Sequence, residues 1–370
     1  MAKELKPLTG LRFAACLVVF ASHLPDWGQP DHPLFAATAG LVIEQAYIAM
    51  PFFFMLSGFV LSHVYADRIV AAGRRRLDRT VAIDFLAGRL ARLYPLQILC
   101  VLLIVPWALA MGRLEAGPLV AQLTLTNALF PDARIYGGLN APSWAMSAEL
   151  VFSLSFPALA LFLAPLGPRL RLPLLATALA APLLVAGAIV AADIGTGFFA
   201  LYINPFARLA EFCAGMLLHS LWRQLDWRPQ GLRWELLAVA FCLASMVLTR
   251  DLPAPYRYWP AFMPAALFAI AVFAEGTGPL ARFFASDALR ALGRLSFAFY
   301  LVHYAVIRYA EWTALARVPA DDPLRWAIAP LLVLLSLGCA FCIHHGVELA
   351  VQPRLRRALV RLAAARADHV

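Results

Sequence analysis

Charge is scarce in this sequence. Of its 370 residues only 14% are charged, against 62% hydrophobic, and lysines are few; the apolar share is well past that of an ordinary soluble domain. No long polar block separates the apolar runs, which excludes a soluble module and leaves no room for an accessory domain. The first apolar run has no clear small-x-small cleavage site and is interrupted by Arg12, so it reads as a retained helix and not as a cleaved signal. The six cysteines, Cys16, Cys100, Cys213, Cys242, Cys339 and Cys342, all lie inside apolar runs. A thiol there behaves as a small hydrophobe, and no disulfide framework is implied. Cys339 and Cys342 do form a CxxC ahead of His344 and His345, a pattern that elsewhere binds zinc. At the end of a hydrophobic helix, in "LGCAFCIHHG", the reading is packing, and no metal is expected.

What is present is a recurring apolar run of membrane-crossing length. About 20 apolar residues span the hydrocarbon core, and candidate spans lie near 8–25, 43–65, 85–111, 143–165, 172–192, 201–222, 234–249, 258–275, 295–313 and 326–350. A further stretch, "GPLVAQLTLTNALF" at 117–130, is too short and too rich in Thr, Asn and Gln for a span. Charge decides its treatment. If it does not cross, most of the 31 basic residues fall in cytoplasmic segments, as the positive-inside rule requires; if it crosses, the bias largely vanishes. The chain therefore reads as an all-α polytopic membrane protein of about ten transmembrane helices with both termini cytoplasmic. The 117–130 stretch becomes a re-entrant or interfacial segment on the outer side. Residues 1–351 form a single membrane-embedded domain and 352–370 a basic cytoplasmic tail, either frayed or lying on the inner leaflet as an amphipathic helix. The formal charge of +9 reports topology and implies no nucleic-acid partner.

Ionisable groups within spans are costly and mark functional candidates. Arg12 lies near the cytoplasmic end of the first helix and His23 near its external end, eleven residues or about 16 Å apart at roughly 1.5 Å per residue. Asp26 follows just outside. The fourth span opens externally with "NAPSWAMSAEL", so Asn140, Ser143, Trp144, Ser147 and Glu149 lie in its outer turns, at the depth of His23. Ser143, after Pro142, can cap the helix; Glu149 is too far along for a capping role. At the opposite face "GRLARLYP" sets Arg89 and Arg92 three apart at the cytoplasmic entry of the third helix, able to hold phosphate or simply to flank the membrane. Ser57-Gly58, deep among aromatics, suits close helix packing, with a nucleophilic serine as the other reading. His303 is a bundle histidine or a substrate contact, and His63 is interfacial. Glu44, Arg208, Glu211 and Arg308 are expected to be ion-paired within the bundle.

With those residues in hand, the chain resembles the acyltransferase 3 family of membrane O-acyltransferases from about Leu5 to Val351. Four motifs carry the likeness in order: "LTGLRFAACLVVFASH", "PFFFMLSGF", "RLAR" followed by "LYP", and "NAPSWAMSAE"; "LGRLSFAFYLVHY" fits as a fifth. Ala145 stands where the family more often has Ser and Ala148 where it often has Val, and Glu149 is intact. The resemblance implies an enzyme that moves an acyl group, often acetyl, from cytoplasmic acyl-CoA to a hydroxyl, commonly of a sugar, at or beyond the outer face. It implies that His23 is the catalytic base and that Arg89 and Arg92 serve the donor side, which the counted depth of Arg12 shares. On this reading neutral His23 removes the acceptor proton, while Glu149 or Asp26 orients the ring. Direct transfer is favoured, with an acyl-His or acyl-Ser57 intermediate as the other route.

The partners expected are acyl-CoA, a glycan or glycolipid acceptor and the lipid bilayer; the sequence does not speak to oligomeric state. The Ala- and Arg-rich composition with few lysines points to a GC-rich bacterium, and the expected localisation is the bacterial inner (cytoplasmic) membrane. A small hydroxylated metabolite such as an antibiotic is the second acceptor class. A transporter of an anionic substrate is the rival from another class, and it lacks support because no internal repeat relates the halves. A non-enzymatic scaffold is the third reading, and it would leave His23 and Glu149 at one depth as coincidence.

Overall fold

The computed structural model describes residues 4–24, 43–70, 76–195, 197–225, 227–319, 322 and 324–367. It is 82% helical, with no strand among the described residues. The long helices are α1 (Lys6–Ser22), α2 (Ala49–Ile69), α3 (Arg79–Ala110), α6 (Trp144–Leu163), α7 (Pro168–Ala191), α8 (Pro205–Gln224), α9 (Leu232–Thr249), α11 (Met263–Glu275), α13 (Asp287–Thr313), α14 (Leu324–Ile343) and α15 (Gln352–Ala367). Short helices α4 (Ala116–Leu123), α5 (Ala133–Tyr136), α10 (Ala254–Arg257) and α12 (Pro279–Phe284) join them. Each of the ten apolar stretches picked out by hydropathy is mainly helical among the described residues. Six segments among the described residues are long and apolar enough to cross a bilayer: Ala46–Ile69, Arg79–Ala110, Ala141–Leu163, Pro168–Ala191, Leu232–Thr249 and Ile328–Ala365. The protein is an all-α polytopic membrane protein.

Two compact units make up the fold. One comprises Met1–Val64 and Pro165–Ser296, the other Tyr65–Ala164 and Phe297–Val370, so the division falls inside α2 and α13. The core of the first gathers Phe52, Met55, Phe59, Trp259, Met263 and Ile270. Its helices approach closely where glycine allows it. A Cβ on Gly58 of α2 would stand 2.1 Å from the Phe212 carbonyl oxygen of α8, and one on Gly215 of α8 would stand 1.9 Å from that of Met55. The two glycines are reciprocal, a small-residue contact of the kind that draws membrane helices together where burial gives no drive. The Ser57-Gly58 pair is thus a packing element, through Gly58.

In the second unit α3 begins at Asp78, whose carboxylate accepts from the Val81 amide at 3.1 Å and so caps the helix. Val101, Ile104, Trp107, Leu139, Tyr304 and Ala305 form its core. The described part of the basic tail, 352–367, is not frayed. It is α15, packed along α3, with Arg356 donating through two nitrogens to the carboxylate of Asp84. Bidentate pairing of this kind fixes orientation as well as charge.

The helix in the stretch at 117–130 is too short to cross a bilayer. This helix, α4, has eight residues, or about 12 Å at roughly 1.5 Å per residue, less than half the hydrocarbon thickness. The polar residues that marked it as unlike a span are where its stability lies. Gln122 and Asn127 are both fully buried. Gln122 donates to the Asn140 carbonyl at 3.2 Å and accepts from the Asn140 amide at 3.1 Å. Beyond it Asp132 caps α5; the Arg134 side chain and backbone N–H bonded to its carboxylate hold that carboxyl below the usual aspartate range.

Candidate active site

In the first unit, His23 closes α1. Its backbone amide bonds to the Phe20 carbonyl at 3.0 Å, and its side chain folds back so that Nδ1 lies 2.8 Å from the Val19 carbonyl oxygen. A carbonyl can only accept, so Nδ1 carries the proton. In the neutral ring the lone pair is then on Nε2, the tautomer a general base needs. The group bonded to Nδ1 is a backbone oxygen one turn back on the same helix, which no side-chain pattern reveals. Asp26, the other expected partner, lies outside the described residues. Arg12, half-buried, stands three turns before His23. One turn beyond Arg12, the thiol of Cys16 donates to the Ser296 carbonyl of α13 at 3.3 Å. Ser57 is half-buried on α2.

In the second unit, Arg89 and Glu149 form an ion pair, each side chain about one-seventh exposed (13% and 14%). Arg89 also donates through Nε to Ser153 Oγ at 2.8 Å, and Ser153 in turn donates to the Glu149 carbonyl at 2.6 Å. This corrects the depth assignment. Arg89 was expected at the cytoplasmic entry and Glu149 in the outer turns, yet the two touch. The reason is the length of α3, which starts at Arg79, six residues before the predicted span. Ten residues at roughly 1.5 Å set Arg89 about 15 Å along it. Ser153, which the sequence reading missed, was signalled only by its position four residues after Glu149 on the same helix face. Arg92 lies over the Phe297 ring, 4.8 Å from its centroid, a cation–π contact.

The remaining motif residues hold backbone. Asn140 donates through Nδ2 to the Leu301 carbonyl at 3.1 Å, tying the start of the α6 region to α13. Tyr300 donates to the Pro142 carbonyl at 3.2 Å beside it. Ser143 sits at the helix start without capping it; its Oγ accepts from Asn127 at 3.3 Å instead. Ser147 donates to the carbonyl of Leu125, a residue held at φ 58°, and accepts from the Ala128 amide at 3.4 Å. Trp144 is buried at the first position of α6. His303 is fully buried, with Nδ1 donating to the Phe299 carbonyl at 3.1 Å.

The expected ion pairs are present. Arg208 and Glu211 pair at 2.6 Å with both side chains fully buried, Arg308 meets Glu311 at 2.6 Å, and Arg250 meets Glu44 at 3.5 Å. His63 joins Phe59, His219 and Trp222 in an aromatic cluster, its ring 5.5 Å from that of His219. At the CxxC helix, His344 is bonded to Glu348, and His345 reaches the Phe341 carbonyl at 2.9 Å.

A family model described as an acyltransferase domain matches residues 6–345. The chain belongs to the acyltransferase 3 family. This acyltransferase is 32% identical over 331 residues to the acyltransferase MdmB of Streptomyces mycarofaciens, across 83% of its own length and 80% of the relative's. It is 29% identical over 164 residues to protein 2 in the picA locus of Rhizobium radiobacter, across 39% of its own length and 76% of that protein. No solved structure matches it. The family member described here is a multi-pass membrane enzyme that transfers an acyl group.

Proposed function

We propose that this acyltransferase takes an acyl group, in the simplest case acetyl, from cytoplasmic acyl-CoA and places it on a hydroxyl of an extracytoplasmic or lipid-linked glycan. His23 serves as general base, in a bacterial inner membrane. The observation that carries the proposal is the bond from His23 Nδ1 to the Val19 carbonyl, which fixes the tautomer with its basic lone pair on Nε2.

The reaction follows in one balanced sequence. The acceptor hydroxyl gives its proton to Nε2 as its oxygen attacks the thioester carbonyl. The carbon–sulfur bond breaks, and the departing thiolate of CoA takes the proton from the imidazolium. The Val19 carbonyl, already bonded to Nδ1–H, stabilises the charged ring at the moment it forms, the role that the third member of a nucleophile–base–orienter set plays.

Arg12 and Arg92 are the donor-side cations in this reading. The guanidinium of Arg89 is committed to Glu149 and Ser153, so we assign it to holding that part of α3 and α6 in place. Glu149 is correspondingly the counter-charge of Arg89.

The test is acyl-CoA consumption by purified protein with and without a hydroxyl acceptor, joined to mass spectrometry of envelope glycans from cells with and without the protein. Acceptor-dependent release of CoA, with a glycan acyl group that disappears with the protein, is the expected result. Acyl-CoA consumption that ignores the acceptor overturns the reading.

A further inference from the structure

One cluster in the first unit is used neither by the mechanism nor by the family motifs. Tyr47, in the turn Ala46–Ile48 that leads into α2 and packs against α1, meets Tyr202 at 5.2 Å and Tyr258 at 5.7 Å between ring centroids. Phe198 closes the group, 5.0 Å from Tyr202 and 5.1 Å from Tyr258. Three irregular pieces of backbone deliver these rings: the 3-10 turn at Ala46–Ile48, the π-helical turn at Phe199–Ile203 and the short helix α10 with its exit. Of these, the π-helical turn is of a rare kind that is found frequently at functional sites.

The floor of the cluster is closed and neutral. Arg208 lies 4.9 Å from the Phe54 and Trp259 rings and 5.3 Å from Tyr202, and its charge is cancelled by Glu211 at 2.6 Å. The upper rings differ from it. Tyr47, Phe198 and Tyr202 are only half-buried, and Tyr258 among them is 6% exposed. Among the described residues neither Tyr47 nor Tyr258 has a hydrogen bond from its hydroxyl. Elsewhere in the protein Tyr94, Tyr300 and Tyr309 each donate to a backbone carbonyl.

Apolar ring faces beside polar hydroxyl handles match one ligand chemistry well. A neutral sugar ring has an apolar C–H face and a rim of hydroxyls that each give and take hydrogen bonds. Building on the transferase reading above, we propose that Tyr47, Phe198, Tyr202 and Tyr258 form a subsite that binds a neutral sugar ring of the acceptor, the two unbonded hydroxyls setting its orientation. On the expected topology this cluster is at the external end of the first unit. The same sugar can arrive as a free glycoside or as a lipid-linked glycan, and the chemistry of the subsite is common to both.

The test uses full-length protein in amphipol, so that no glycosidic detergent competes, and the His23→Ala form, so that binding is read without turnover. Methyl glycosides of glucose, galactose, mannose and rhamnose are screened by saturation-transfer NMR, with an undecaprenyl-linked glycan as competitor. At least one glycoside should bind through its C–H face. Tyr47→Phe and Tyr258→Phe, which preserve packing, should each weaken it by about tenfold, the loss of one hydrogen bond of about 1.4 kcal/mol, while Tyr309→Phe leaves it unchanged. Displacement by the lipid-linked glycan would make that the source; its failure would make it the free glycoside. Binding by no glycoside, or binding unaltered in a well-folded Tyr47→Ala/Tyr258→Ala double variant, overturns the subsite. Acyl-CoA consumption measured in parallel separates that outcome from failure of the transferase reading, because donor turnover with a non-sugar alcohol survives loss of this subsite.

Discussion

Arg89 of α3 is bonded to Glu149 of α6, and the same guanidinium holds Ser153 one turn further along α6 at 2.8 Å. Two motifs separated by sixty residues in the chain, "RLAR" and "SWAMSAE", are therefore one ionic contact in space. A charge this far inside an apolar bundle needs a partner, and each of these two is the other's.

Removing one member should cost far more than removing both. Arg89→Gln or Glu149→Gln alone leaves a mostly buried charge uncompensated, with a loss of about 3 kcal/mol expected. The double variant should recover a substantial part of it. Thermal unfolding of the three variants in one detergent checks this, and additive losses would show that the pair is not coupled.

Gly58→Ala should prevent assembly of the first unit, because its new methyl would sit 2.1 Å from the Phe212 carbonyl oxygen and neither backbone can yield. Gly167→Ala, where no atom stands within 4 Å, is the matched control. Size-exclusion profiles of fluorescent fusions should show aggregation or loss for the first and a native peak for the second.

Ser147→Ala should loosen the segment around α4 while leaving α6 in place. The Leu125 carbonyl and the Ala128 amide both lose the hydroxyl they share, a loss of about 1–3 kcal/mol for buried groups left unmade. Hydrogen exchange at residues 116–136 should rise, with α3 and α6 unchanged.

Much of the fold was legible because hydropathy is a property of composition. Every apolar stretch picked out by length is mainly helical among the described residues, and the stretch at 117–130, set apart by its Thr, Asn and Gln content, holds only a short helix, with Gln122 and Asn127 as buried anchors. Depth was less legible. Counting from a predicted span start placed Arg89 at the membrane entry, but the Asp78 cap starts α3 six residues earlier, and nothing in the periodicity of an apolar helix marks where the chain begins to coil. The backbone contact of His23 was hidden for a different reason. Every residue carries a carbonyl, so the Val19 oxygen beside Nδ1 leaves no signature in the sequence. Ser143 shows the converse: its type and position fit a cap, but Asn127 takes its oxygen.

The most direct measurement is acyl transfer by His23→Ala in isolated membranes, at expression and acyl-CoA binding equal to the parent protein. Loss of transfer by at least about a hundredfold, the range for removal of a positioned general base, is the result predicted. Full transfer by the variant would contradict the assignment of His23 as the base.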